Sequence, residues 1–121
     1  MSKRVSRRIG AQLSLLLSLG AIVVPGMANA TEQWVTDNVR SVYPLSDGSF
    51  VITFVNPQPI CTNNATYQYF WVSPGHNGVN ADGAKALLAT ALTAFVSGKK
   101  IDLAFEAATS DCFVNRLAVK M

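Results

Sequence analysis

The segment AKALLATALTAFVS, residues 84–97, decides how this chain folds. Leu88, Leu92 and Phe95 recur at helical spacing, and Leu87, Ala91 and Ala94 widen the apolar stripe. Lys85 and Thr93 mark the polar side. Asn80 or Asp82 can cap the start, and Gly98 stands where a glycine ends a helix. Lys99 and Lys100 suit the negative end of the helix dipole. The spacing predicts a helix that buries Leu88, Leu92 and Phe95. Its alanines permit close approach of another backbone, first of all that of its own sheet.

Everything on either side of this helix reads as strand. Upstream, a polar start gives way to an imperfectly alternating strand at Val39, Val42, Tyr43 and Leu45. Ser46-Asp47-Gly48 is a hairpin turn signal. Ser49–Val55 is the clearest strand, with Phe50, Ile52 and Phe54 on one face, and Pro57 and Pro59 end it. Thr66–Val72 is rich in β-formers and places Tyr67, Tyr69 and Trp71 on alternate positions. A loop of turn formers, SPGHNGVNADG at 73–83, leads into the helix. Downstream, KKIDLAFEA at 99–107 puts Ile101, Leu103 and Phe105 inward and Asp102 and Glu106 outward. The closing strand, CFVNRLAVKM at 112–121, has Phe113, Asn115, Leu117 and Val119 on one face. Cys112, Val114, Arg116, Ala118 and Lys120 form the other face, expected to be the more solvated.

Three strands, one helix and two strands make a mainly β (α+β) chain. The order is that of a small five-stranded OB-like barrel with the helix between strands 3 and 4. An antiparallel sheet with one packed helix is the other arrangement compatible with it.

The first thirty residues have a different character. Lys3, Arg4, Arg7 and Arg8 precede an apolar run of 14 residues, Ala11 to Val24. That is short of the roughly 20 needed to span a bilayer. Pro25 and Gly26 break the run, and Ala28-Asn29-Ala30 fits the small-x-small rule of signal peptidase. Residues 1–30 are therefore expected to be a cleaved signal peptide, leaving 31–121 as one small domain in the periplasm or outside the cell. The full chain carries a net charge of +3, but four of its ten basic residues and none of its seven acidic ones precede residue 31. The remainder is close to neutral and has no electrostatic footprint for nucleic acid. No second apolar run approaches spanning length, so no membrane association is expected after cleavage. The two cysteines, Cys61 and Cys112, are expected to form a disulfide in an oxidising compartment.

Catalytic signatures are missing. No GxSxG, HExxH or spaced His/Cys cluster occurs, and no cofactor or metal site is expected. Asp102 and Glu106 share a strand face, about 13 Å apart along it, too far for a glycosidase pair at about 5–9.5 Å. The single histidine, His76, lies in the Pro/Gly loop, followed by Asn77. Tyr67, Tyr69 and Trp71 read either as core or as a stacking face. Tyr and Trp want partners for their polar atoms, which favours a rim position. Ser73, His76, Asn77 and Asn80 offer donors and acceptors beside them.

A basic and apolar leader, an early Trp34, a hairpin, Cys61, a helix running AFVSGKKIDLAF into a strand, and a closing strand with Cys112 make a pattern. It resembles the B subunits of subtilase-type and pertussis-like bacterial toxins, and small exported bacterial proteins of unknown role. The resemblance implies an OB-fold, a pentameric ring and binding of sialylated glycans. No sugar-binding residue of that family can be carried over to a position here. The expectation is an exported, non-catalytic binding module with a glycan or protein partner, as a homo-oligomer. Its ligand residues would be Tyr67, Tyr69, Trp71, His76 and Asn77. The alternative is a small periplasmic or secreted enzyme inhibitor, or an enzyme of unknown activity.

Overall fold

The computed structural model describes residues 32–121. The expected signal peptide lies outside them. The elements run β1 (Glu32–Pro44), β2 (Phe50–Phe54), β3 (Phe70–Val72), α1 (Ala81–Ser97), β4 (Lys100–Glu106) and β5 (Val114–Val119). The five strands form one antiparallel sheet in the order β3-β2-β1-β4-β5. Its two edge strands, β3 and β5, also approach each other, which curls the sheet toward a partly open barrel. Among the described residues, no helix is long and apolar enough to cross a membrane.

β1 is far longer than the alternation of its apolar residues indicates. Its first half, Glu32–Asn38, pairs with β4, and its second half, Val39–Pro44, pairs with β2. The polar start is thus strand as well. Gln33 and Asp37 face inward with Val35, so polar residues interrupt the inward set and hide the period. All five residues of β2 are buried, because it lies between two neighbours and is covered on both faces.

The core is aromatic. Phe70 stands edge-on to Phe54 and to Phe105, with ring centroids 5.2 and 5.0 Å apart. Ile52, Ile101, Leu103, Val72 and Val114 complete it, each essentially sealed. Because the sheet supplies this bulk, the helix needs only small residues beneath it. Ala84, Ala91 and Ala94 are the side chains of α1 that are buried. Leu87 and Leu88 are half-buried, while Leu92, Phe95 and Val96 are 40%, 45% and 80% exposed. The expectation that Leu92 and Phe95 face the core is therefore corrected: the alanine side lies against the sheet. The caps are as the sequence implies. Asn80 accepts a hydrogen bond from the Gly83 N–H at 2.7 Å, and Gly98 closes the helix at φ 69°.

β5 corrects a second expectation. Ala104 pairs with Arg116 but Phe105 pairs with Val114, so Asn115 is an extra, bulged residue. The bulge switches faces and brings Val114 inward with Leu117, while Cys112 ahead of it is also buried. Cys112 is bonded to Cys61, their Cα atoms 6.0 Å apart, as expected. The bond joins the segment before β3 to the segment before β5, and so ties the two sheet edges together. Asn77 and Asn115 add to this tie. Asn77 donates to the Phe113 carbonyl and Asn115 donates to the Asn77 carbonyl, both at 2.7 Å.

Candidate ligand-binding site

The site begins with a second bulge. Val39 pairs with Phe54 and Ser41 with Thr53, so Arg40 has no partner across the ladder. An extra residue of this kind re-aims its side chain. Arg40 turns out of the sheet and lays its guanidinium 4.0 Å from the centre of the Tyr67 ring. Three positions on, Tyr43 meets Tyr69 edge-on, with centroids 6.0 Å apart and an interplanar angle of 81°.

These pairs close an open recess of about 270 Å³. The sheet wall is Arg40, Tyr43 and the buried Thr53, whose hydroxyl is hydrogen-bonded to that of Ser41. The facing wall is Ala65, Thr66, Tyr67 and Tyr69, from the loop between β2 and β3. The volume lies just under the roughly 300–1,000 Å³ of small-molecule sites, which fits one ring-sized group. Among the described residues the ion pairs are Arg116 with Glu32 and Lys120 with Asp102, so the Arg40 guanidinium is left to a π-face. The lining offers guanidinium N–H donors, phenol and hydroxyl groups, and apolar ring faces. It includes no carboxylate, imidazole or thiol. Such a set can stack on and hydrogen-bond a ligand.

The structure divides the five residues singled out from sequence. Tyr67 and Tyr69 meet in the recess, but both lie ahead of β3, which is shorter than the expected Thr66–Val72 strand. Phe70 and Val72, not Tyr69 or Trp71, are the core residues of this stretch. Trp71 is half-buried opposite Val51 in the β2–β3 ladder. His76 and Asn77 lie against the start of β5 and the residue before it: the His76 ring stacks on Phe113 at 4.3 Å and 12°, and Asn77 is bonded to Phe113 and Asn115. A shallower hollow of about 340 Å³ next to them is lined by residues that include Asn80, Leu87 and Asn115. Among the described residues, no group of three or more His, Cys, Asp or Glu could hold a metal ion.

Sequence reasoning missed Arg40 and Tyr43. A signal existed: Val39 and Val42 are three apart where a regular strand demands two, and the charged residue between them marks the bulge.

No protein-family model and no curated protein sequence matches this chain. Solved structures do. The cholera toxin-like B-subunit from Citrobacter freundii superposes with a TM-score of 0.58 at 13% identity, over 84% of this chain and all of that one. A human heat-labile enterotoxin in complex with a blood group A antigen analog matches at 0.55 and 14%, with the same coverage. So does a porcine E. coli heat-labile enterotoxin B-pentamer in complex with lacto-N-neohexaose, also at 0.55 and 14%. The resemblance to toxin B subunits thus holds in the fold.

Proposed function

We propose that residues 31–121 form an exported, non-catalytic carbohydrate-binding subunit that works as a homo-oligomer, with its sugar held in the recess between Arg40 and Tyr67. The observation that carries this reading is the recess itself: three tyrosines and a guanidinium that makes no ion pair among the described residues, set around a ring-sized space. Support comes from the solved structures of like fold, two of which hold a blood group antigen analog and an oligosaccharide. Aromatic stacking is worth about 1–3 kcal/mol per nucleobase, and a sugar ring gains a similar amount or less, so useful affinity requires several copies acting together.

The helix supports the oligomer. Leu92, Phe95 and Val96 place bulky apolar surface in water while alanines fill the inside of the same helix. Neighbouring copies would cover that face. Export follows from the expected cleavage after Ala30, and the mature product should begin at Thr31 by intact mass.

The test is a glycan array probed with the mature oligomer, wild type against Tyr67→Ala. Wild type should retain a defined set of glycans and the folded variant none of them. A wild-type oligomer that retains no glycan overturns the reading.

A further inference from the structure

The loop that forms the outer wall of the recess is held almost entirely by side chains. Between Phe54 and Phe70 its backbone makes two backbone hydrogen bonds among the described residues, Val55 to the Asn38 carbonyl and Cys61 to the Gln58 carbonyl. Pro57 and Pro59 have no N–H to give. Beside the Cys61–Cys112 bond, what fixes the loop is a chain of polar groups that starts at a carboxylate on β1, outside the recess.

That carboxylate is Asp37, only 8% exposed. No lysine or arginine pairs with it among the described ion pairs. Its Oδ1 accepts from the Asn38 N–H at 2.7 Å. Its Oδ2 accepts from the Asn56 N–H at 3.0 Å, the Asn56 side chain at 3.1 Å and the Gln58 side chain at 3.2 Å. The Gln58 N–H in turn donates to Gln68 Oε1 at 2.6 Å, and Gln68 donates to the Ala65 carbonyl at 3.4 Å. Gln68 sits between the two ring residues of the wall. Asn63 finishes the job on the far side, donating to the Tyr69 carbonyl at 2.9 Å and accepting from its N–H at 3.3 Å.

We propose that Asp37 is a positioning residue for the ligand site: through Gln58 and Gln68 it sets the loop that holds Tyr67 over Arg40 and Tyr69 against Tyr43. The proposal rests on the carbohydrate reading for its consequence in binding, but the placement of Tyr67 can be read without any ligand. Asp37 suits the task because both its oxygens only accept. An alanine in its place removes both acceptors and leaves the Asn56 and Gln58 donors without their partner.

The experiment uses the mature protein and two readouts. The first is the NMR ring-current shift of the Arg40 side-chain protons, which reports the Tyr67 ring directly. In Asp37→Ala and in Gln68→Leu that shift should collapse toward the value in Tyr67→Ala, while the amide signals of Ile101 and Phe105 stay in place. Gln68→Glu, which keeps the acceptor for the Gln58 N–H, should restore it. The double variant should lose no more than either single one, since both cut the same chain. The second readout is affinity for a glycan retained on the array, expected to weaken roughly tenfold in step with the shift. An unchanged Arg40 shift in folded Gln68→Leu overturns the proposal, and that variant carries the test if Asp37→Ala does not fold. A wild type that shows the shift yet binds no glycan overturns the carbohydrate reading and leaves the positioning of Tyr67 standing.

Discussion

The guanidinium of Arg40 faces the ring of Tyr67 at 4.0 Å because β1 carries one residue more than β2 at that point. An exposed contact of this kind is worth about 0.5–1 kcal/mol. Arg40→Ala and Tyr67→Ala should therefore lower folding stability by less than about 1 kcal/mol and yet weaken ligand binding roughly tenfold or more. Thermal unfolding run beside glycan titration separates the two. A large loss of stability would place these residues in the scaffold instead.

The Cys61–Cys112 bond closes a separation of 51 residues and joins the two sheet edges. Chain entropy alone then assigns it about 4 kcal/mol. Cys112→Ala should lower the unfolding free energy by about 2–5 kcal/mol, measured with denaturant. Wild type under strong reductant should approach the variant.

The two sides of α1 should respond in opposite ways. Ala91 is sealed against the sheet, so Ala91→Leu should destabilise by about 1–3 kcal/mol through overpacking. Leu92 is 40% exposed, so Leu92→Ala should cost less than the roughly 2–5 kcal/mol of a core leucine. Phe95→Glu, on the exposed side, should leave the fold intact and lower the solution mass to that of single chains. A stable oligomer in that variant would move the subunit contact elsewhere.

Two carboxylates give the acid end of the stability profile. The hydroxyl of Ser49, with its N–H, holds Asp47 below its ordinary value of 3.8. The hydroxyl of Thr36 is the first cause of the same lowering at Asp102. A lowered carboxyl contributes stability above its ordinary pKa, and that contribution is lost as the pH falls through the lowered value. Unfolding followed from neutral pH down through 3.8 should show this loss, and Ser49→Ala with Thr36→Val should flatten it. Both groups lie at the surface, so the effect should be small and should shrink in salt.

The element order and both helix caps were legible in the residues, because caps, turns and apolar runs are local signals. So was the cysteine pair, from its number and its expected compartment. The inward side of α1 was not, since Leu92 and Ala91 both fit an apolar stripe and only the packing of the helix on a sheet already filled by bulky side chains decides between them. Nor was the inward turn of Val114, because the bulge at Asn115 shifts the period by one. Tyr67 and Tyr69 were found as an aromatic cluster, but their partners Arg40 and Tyr43 come from a strand more than twenty positions earlier. Only the ladder register brings them together.

The division of β1 between two neighbours imposes an order of assembly. Val39–Pro44 can zip onto β2 as soon as the Asp47-Gly48 turn has formed, a contact between close neighbours in sequence. Glu32–Asn38 must wait for Lys100–Glu106, with Glu32 meeting Glu106 across nearly the whole domain. A pairing so distant is slow to find. A chain emerging from its N-terminus thus holds the first seven residues of its longest strand unmatched until almost all the rest has appeared. During that interval the bare backbone of this segment is open to another chain's edge, so the time to completion, more than the final stability, governs how much of the protein is lost to aggregation.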